Sequence, residues 1–314
     1  MMKNSQNKKV LAIDIGGSKL QVGLVDESGA VLDTALRTLR SSQNYTKELI
    51  LDNITQAVQD LEQRQGSLRP NAIGVSLPGP CNPDRGLMLR NFTTGIGPWS
   101  FAEDLEKIFH VPVYGDNDVN ACAVAEKTFG NCKNTSHFMW MTVSTGCGGA
   151  FYLNDALYRG ANNLAGEIGH IPVEFEHPAL CSCGIEGDME IEGSGFAIGR
   201  KYLAETDQPP DVTFGSKEVS EKARAGDKIA SLIFYRSGFY IGRLCAMAQN
   251  MLNLQKAVIG GGVAVYDFDL LQDGIDDALE QWVFPLSKEG FTVEKTALGY
   301  NAALVGAGAI ALRH

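Results

Sequence analysis

One pattern occurs twice in this chain and constrains it more than any other: an apolar strand, a glycine turn carrying a hydroxyl residue, and a second strand. The first copy runs KVLAIDI (9–15), GGSK, LQVGLVD (20–26), an ESG hairpin turn and AVLDTALR (30–37). The second runs HFMWMTVS (137–144), TGCGG and AFYL (150–153) into a hairpin at Asn154-Asp155. Two-residue turns between alternating apolar runs are hairpin signals. The copies lie about 130 residues apart and share a design without sequence identity. A chain that builds this opening twice has two sheets to cover, and 314 residues exceed one ordinary core. The expectation is an α/β protein of two domains.

Between the copies, Leu49, Ile50, Ile54, Ala57, Val58 and Leu61 follow helical spacing over 45–64. A strand at 72–77 ends in PGP, and a loop rich in Gly, Pro and Asn runs to Trp99. A short amphipathic helix, the strand VPVYG and a helix over 116–129 with an acidic cap follow. Later helices are expected over about 190–204 and 227–252, and VIGGGVA ends a strand in a glycine turn. The last helix, 301–313, is rich in Ala and Gly, which suits close packing on a sheet. No low-complexity linker separates the halves, so the boundary is expected to be a hinge. The order of elements assigns 1–121 plus 300–314 to the first domain and 122–299 to the second.

Composition narrows the function. A formal charge of −10 argues against nucleic acid as a default partner. No apolar run approaches the roughly 20 residues of a membrane span. The polar, basic start MMKNSQNKK leads straight into a strand too short and too acidic for a signal-peptide core. A cytoplasmic location is expected. The seven cysteines are odd in number and scattered, as reduced core thiols are, apart from the close pair Cys181 and Cys183.

Three glycine turns at strand ends carry the chemistry. In AIDIGGSK, backbone N–H groups around Gly16, Gly17, Ser18 and Lys19 can face a phosphate, with Asp14 holding Mg²⁺ through water. A plain Gly-Gly hairpin is the bland alternative. STGCGG adds Ser144, Thr145 and Gly146, and the third turn is Gly260-Gly261-Gly262. Together they let backbone approach a nucleotide from three sides. Neither a Walker A loop nor the dinucleotide G-x-G-x-x-G fingerprint is present. YGDNDVNA places Asn117 and Asp118 at the mouth of a helix, where Asp118 can accept a hydroxyl proton. In the bland reading, Asp116 caps that helix and the rest is solvated. Glu167, His170 and Glu190 can hydrogen-bond sugar hydroxyls, and His170, Cys181 and Cys183 are soft ligands for tetrahedral Zn²⁺.

The ordered set AIDIGGSK, GVSLPGP, DNDVNACAVAE, STGCGG, RGANNLAGEIGH, C-x-C-G and VIGGGVA resembles the ROK family (repressors, open reading frames, kinases) over nearly the whole chain. The resemblance implies the actin-like, ribonuclease-H-like double fold with an interdomain cleft for sugar and ATP. It implies transfer of the γ-phosphoryl group to a hexose or hexosamine hydroxyl, often O6. It also implies Asp118 as catalytic base, Asn117, Asn91, Glu167, His170 and Glu190 as sugar contacts, and Asp14, Gly16, Gly17, Thr145, Gly146 and Gly261 as nucleotide contacts.

The family reads C-x-C-G-x-x-G-C, its His and three Cys binding a structural zinc. Here CSCGIEGD puts Asp188 where the third cysteine belongs. A carboxylate in place of a thiolate weakens a soft site, and His177 is a nearby alternative ligand. The expectation is that zinc is lost or weakly held. Ser18 for the usual threonine keeps the hydroxyl.

The sugar is not named by these motifs, although Glu167, His170 and Glu190 together favour a glucose-like hexose. N-acetylhexosamine and fructose kinases share them, and a non-catalytic sugar-binding regulator is the rival from another class. The regulator branch carries a helix-turn-helix ahead of the sugar fold, for which a first strand at residue 9 leaves no room. Ile241, Leu244 and Met247 would line a homodimer seam if exposed, and a core face if not.

Overall fold

The computed structural model describes residues 8–39, 46–90 and 95–314. Its contacts divide the chain into two units: Met1–Lys133 with Gly160–Leu164 and Asn301–His314, and Asn134–Arg159 with Ala165–Tyr300.

In the first unit, β1 (Lys9–Ile15), β2 (Lys19–Asp26) and β3 (Val31–Thr38) form an antiparallel meander, followed by α1 (Lys47–Gln65) and β4 (Ile73–Leu77). A small pair, β5 (Cys81–Asn82) and β6 (Leu87–Met88), precedes α2 (Phe101–Phe109), β7 (Val113–Asn117) and α3 (Asp118–Thr128). The sheet order is β3-β2-β1-β4-β7, with β1, β4 and β7 parallel. Strand β1 shows why it is central. Leu11, Ile13 and Ile15 face a core that includes Ile50, Ile54 and Leu61 of α1, while Val10 and Ala12 face the other side. A strand buried on both faces needs this near-continuous apolar run. The opposite face is covered by α9 (Ala302–Leu312), whose Ala and Gly residues let it lie close against β1, β4 and α3.

The second unit repeats the plan. Strands β8 (Phe138–Val143), β9 (Cys147–Leu153) and β10 (Ala156–Tyr158) form its meander. Helices α4 (Met189–Gly193), α5 (Gly195–Glu205), α6 (Ser216–Arg224) and α7 (Lys228–Leu252) follow, then β11 (Lys256–Gly260), α8 (Gly261–Trp282) and β12 (Thr292–Lys295). The sheet order is β10-β9-β8-β11-β12, again an antiparallel hairpin pair joined to parallel strands. Asn154 and Asp155, at φ of 54° and 61°, make the tight hairpin turn that their side chains favour. On one face of this sheet, Met139, Met141 and Val143 of β8 pack in a core among Phe234, Ile241, Leu244 and Ile275.

Of the two readings of α7, the core face holds: Ile241 and Leu244 are 0% and 1% exposed. Two other readings change. The helix expected over 190–204 is two, because Ser194 leaves the helix to cap α5 through its hydroxyl to the Ala197 amide. Asp116 lies within β7, whose last residue, Asn117, is the cap of α3.

Candidate active site

The acidic cluster of the first unit sits at the ends of adjacent parallel strands. Register places Asp14 of β1 beside Ser76 of β4, and Ser76 beside Asp116 of β7. The Ser76 hydroxyl donates to Asp14 Oδ1 at 2.9 Å. Desolvation outweighs that bond and lifts the Asp14 carboxyl to about 6. Asp116 is buried, and its Oδ1 accepts from the Asn117 amide (2.8 Å) and from Asn120 Nδ2 (3.0 Å). Asn117 spends its own Oδ1 on the Asn120 amide at 2.7 Å, which leaves its amide group as the donor for a ligand. Asp118 opens α3, one oxygen on the Val119 amide at 2.9 Å. The charges are close enough to act on neighbouring thiols. Burial first, then Asp118 and Asp14, push Cys122 well up; burial, Asp116 and Asp118 do the same to Cys81.

The first glycine turn joins β1 to β2, closed by the Gly16 amide on the Lys19 carbonyl at 2.8 Å. Gly17, Ser18 and Lys19 are exposed. Asn91 lies outside the described residues.

In the second unit the turn Ser144–Gly146 is closed by the Ser144 amide on the Gly146 carbonyl (2.9 Å), and Thr145 is exposed. Its neighbours were only partly legible in the sequence. The Gly195 amide donates to the Ser144 carbonyl at 2.7 Å, bringing the start of α5 to the turn. Gly261 opens α8 at φ +84°, where a Cβ would come within 2.5 Å of the Val143 carbonyl. Both the conformation and the space demand glycine. Ser144, the first turn of α5 and the first turn of the 22-residue α8 therefore meet, and helix N-termini present free N–H groups to anions. The glycines at 260–262 signalled this; Ser194 and Gly195 gave no comparable signal.

The GEIGH segment is stitched to the same strand. The Gly149 amide donates to the Gly166 carbonyl at 2.9 Å, and a Cβ on Gly166 would lie 2.1 Å from the Gly149 carbonyl. Glu167 is exposed at the start of a 3₁₀ turn ending at His170. Glu190, on α4, accepts the Cys147 amide at 3.1 Å through Oε2. Gly146 leaves room for that carboxylate, since a Cβ there would lie 2.5 Å from the same oxygen.

His170, Cys181, Cys183 and Asp188 converge, their ligand atoms all within 4.8 Å of one another. Asp188 is fully buried. Its Oδ2 meets His170 Nδ1 at 3.1 Å and accepts from Cys183 Sγ at 3.3 Å. Burial raises the Asp188 carboxyl, but the Ile191 amide, Cys181, His170 and Cys183 outweigh it and hold the group below its ordinary range. Tetrahedral zinc spaces its ligand atoms roughly 3.3–3.8 Å apart, so the four groups fit a zinc ion in kind and, after a small contraction, in spacing. His177 is not among them.

A duplicated sheet with a glycine turn after each first strand, and a third turn opening a helix behind the parallel strand of the second unit, is the actin-like ATPase fold. The profile of the ROK family matches residues 10–314, and the chain belongs to that family. It is 28% identical over 95% of its length to a glucokinase of Halalkalibacterium halodurans, covering 93% of that protein. It is 32% identical over 82% of its length to an N-acetylmannosamine kinase of Vibrio cholerae, covering 85% of it. Among solved structures, a ROK family glucokinase from Streptomyces griseus in complex with glucose and AMPPNP superposes with a TM-score of 0.83 at 28% identity, over 98% of this chain and all of that one. Among the described residues, no helix is long and apolar enough to cross a membrane.

Proposed function

We propose that this chain is an ATP-dependent sugar kinase that phosphorylates a hexose hydroxyl, O6 of glucose or a similar sugar. The observation that carries the reading is the backbone stitching of the GEIGH segment to the second glycine turn. It ties candidate sugar ligands to a candidate phosphate cradle on one strand, β9. The similarity to a glucokinase bound to glucose and an ATP analogue supports the same assignment.

In this reading Asp118 accepts the proton of the attacking hydroxyl. A bond forms from that oxygen to the γ-phosphorus, the bond to the β,γ-bridging oxygen breaks, and ADP leaves. Such a transfer needs mainly positioning and charge compensation. Asn117, through its uncommitted amide, Glu167, His170 and Glu190 hold the acceptor. Gly16, Gly17, Ser18 and Lys19 of the first turn, Thr145 and Gly146 of the second, and Gly261 hold phosphates. Asp14 suits Mg²⁺, because a desolvated carboxylate at a strand end gains most from a cation. Zinc at His170, Cys181, Cys183 and Asp188 would fix a loop and take no part in the transfer.

The similarity to an N-acetylmannosamine kinase supports an N-acetylhexosamine as the alternative acceptor. The test is ADP release by purified protein across a panel of hexoses, fructose and N-acetylhexosamines. Sugar-dependent turnover is expected, falling by about 10²-fold in Asp118→Asn while sugar binding persists. Sugar binding with no turnover on any acceptor would assign the chain to non-catalytic sensing.

A further inference from the structure

Asp188 divides its two carboxylate oxygens between two tasks. Oδ1 accepts the Ile191 amide at 2.9 Å and so caps α4, the helix that carries Glu190. Oδ2 gathers His170 and Cys183. The strand register runs through the same residue: the Met189 amide donates to the Ile171 carbonyl at 3.0 Å, and Pro172 pairs with Asp188. From α4 the connection reaches the glycine turn, where Glu190 holds the Cys147 amide. Burial, then Glu190 and Asp188, push the Cys147 thiol well up, which reports both carboxylates acting on that turn.

We propose that Asp188 is the positioning residue of the sugar half-site, holding Glu190 and His170 through its two oxygens so that their geometry depends on this carboxylate rather than on a bound metal. The proposal rests on the sugar-binding role assigned to Glu190 and His170. It turns on the division of labour: Asp188 gives one oxygen to the helix amide and the other to the cluster, both at hydrogen-bond distance, and a carboxylate is a stronger acceptor than sulfur. The outer part of the segment has a separate anchor on α7. Tyr240 donates to Glu174 (2.8 Å), Arg243 to the Val173 carbonyl and Ser237 to the Gly193 carbonyl (2.7 Å). Substitution at 188 therefore loosens the inner segment and leaves the fold of the unit in place.

The experiment compares the wild-type protein with Asp188→Ala, Asp188→Asn and Asp188→Cys, each chelated and each reloaded with zinc. Four quantities are read: zinc per chain, KM and kcat for glucose, and amide exchange across 144–149 and 167–193. Wild-type KM and exchange are expected to change less than about twofold between chelated and reloaded forms. Asp188→Ala should raise KM roughly tenfold, lower kcat less, and release the Cys147 amide, the scale for removing a group that orients a ligand. Asp188→Asn keeps an oxygen for the α4 cap, so protection of Ile191 should return while KM stays raised. Asp188→Cys should hold zinc stoichiometrically and make KM and exchange sensitive to chelation. If chelating the wild-type protein raises KM and exchange as far as Asp188→Ala does, the metal holds the segment and the proposal fails. It fails equally if Asp188→Ala leaves exchange unchanged. Should glucose not be turned over, exchange and zinc content still decide the question, separately from the kinase reading.

Discussion

Replacing Asp14 by Asn should make the protein more stable and less active at once. The Asp14 carboxyl lies at the end of β1 with the Ser76 hydroxyl as its recorded side-chain partner, and desolvation lifts it from 3.8 to about 6. Between those values the folded state binds the proton more tightly than the unfolded chain. This group's contribution to stability is therefore fully present below pH 3.8 and is lost as pH rises through 6. Above pH 6 the folded protein carries an ionised carboxylate whose cost is about 3 kcal/mol at most, from about two units at 1.36 kcal/mol each. Asn is nearly isosteric, keeps an acceptor for Ser76 and carries no charge. In metal-free buffer at pH 7.5 the variant should melt up to about 6 °C higher, taking about 2 °C per kcal/mol, the low end that suits a longer chain. At pH 4 the two proteins should melt together. Mg²⁺ should raise the wild-type melting temperature at pH 7.5 and leave the variant unmoved, while turnover in the variant falls by at least about 10²-fold. Thermal melts from pH 4 to 8, with and without Mg²⁺, provide the assay. A stability difference independent of pH, or a variant less stable than wild type at pH 7.5, would refute the reasoning.

Other substitutions probe the remaining parts. Gly261→Ala forces a side chain into a left-handed conformation and 2.5 Å from the Val143 carbonyl; it should cost about 1–3 kcal/mol in a denaturant titration and weaken ATP binding more than sugar binding. Gly146→Ala drives a methyl against Glu190 Oε2, so KM for sugar and for ATP should rise together in steady-state kinetics. Glu167→Gln, at an exposed position with no role in packing, should weaken sugar affinity in calorimetry and leave the melting temperature within about 1 °C.

The doubled architecture was legible because β1 and β8 are apolar runs closed by glycine, and such signals survive in any context. The terminal helix was legible from its Ala and Gly alone. What escaped the sequence has local physical causes. Helix α8 begins on three glycines and kinks at Asp267, which has non-helical φ and ψ, so its apolar period is broken. Strand β12 is four residues at a sheet edge, with no run of buried positions to mark it. Asp116 and Asn117 are both good caps, and only the strand register, which extends β7 through Asn117, decides between them. The convergence of His170, Cys181, Cys183 and Asp188 could be anticipated as a ligand set. The second bond of Asp188, to the Ile191 amide, depends on where α4 begins, and composition does not state that.

The paired glycines at 149 and 166 also bear on how such a protein can change over evolutionary time. Two backbones that touch carbonyl to Cα have no side chains to exchange, so this seam accepts almost no substitution. Variation in acceptor choice is thereby displaced to segments that hang from the seam without forming it. It also follows that a ligand pulling on residues 166–170 pulls on the turn at 144–149. By thermodynamic reciprocity, whatever factor a sugar contributes to nucleotide affinity through this seam, the nucleotide returns to the sugar.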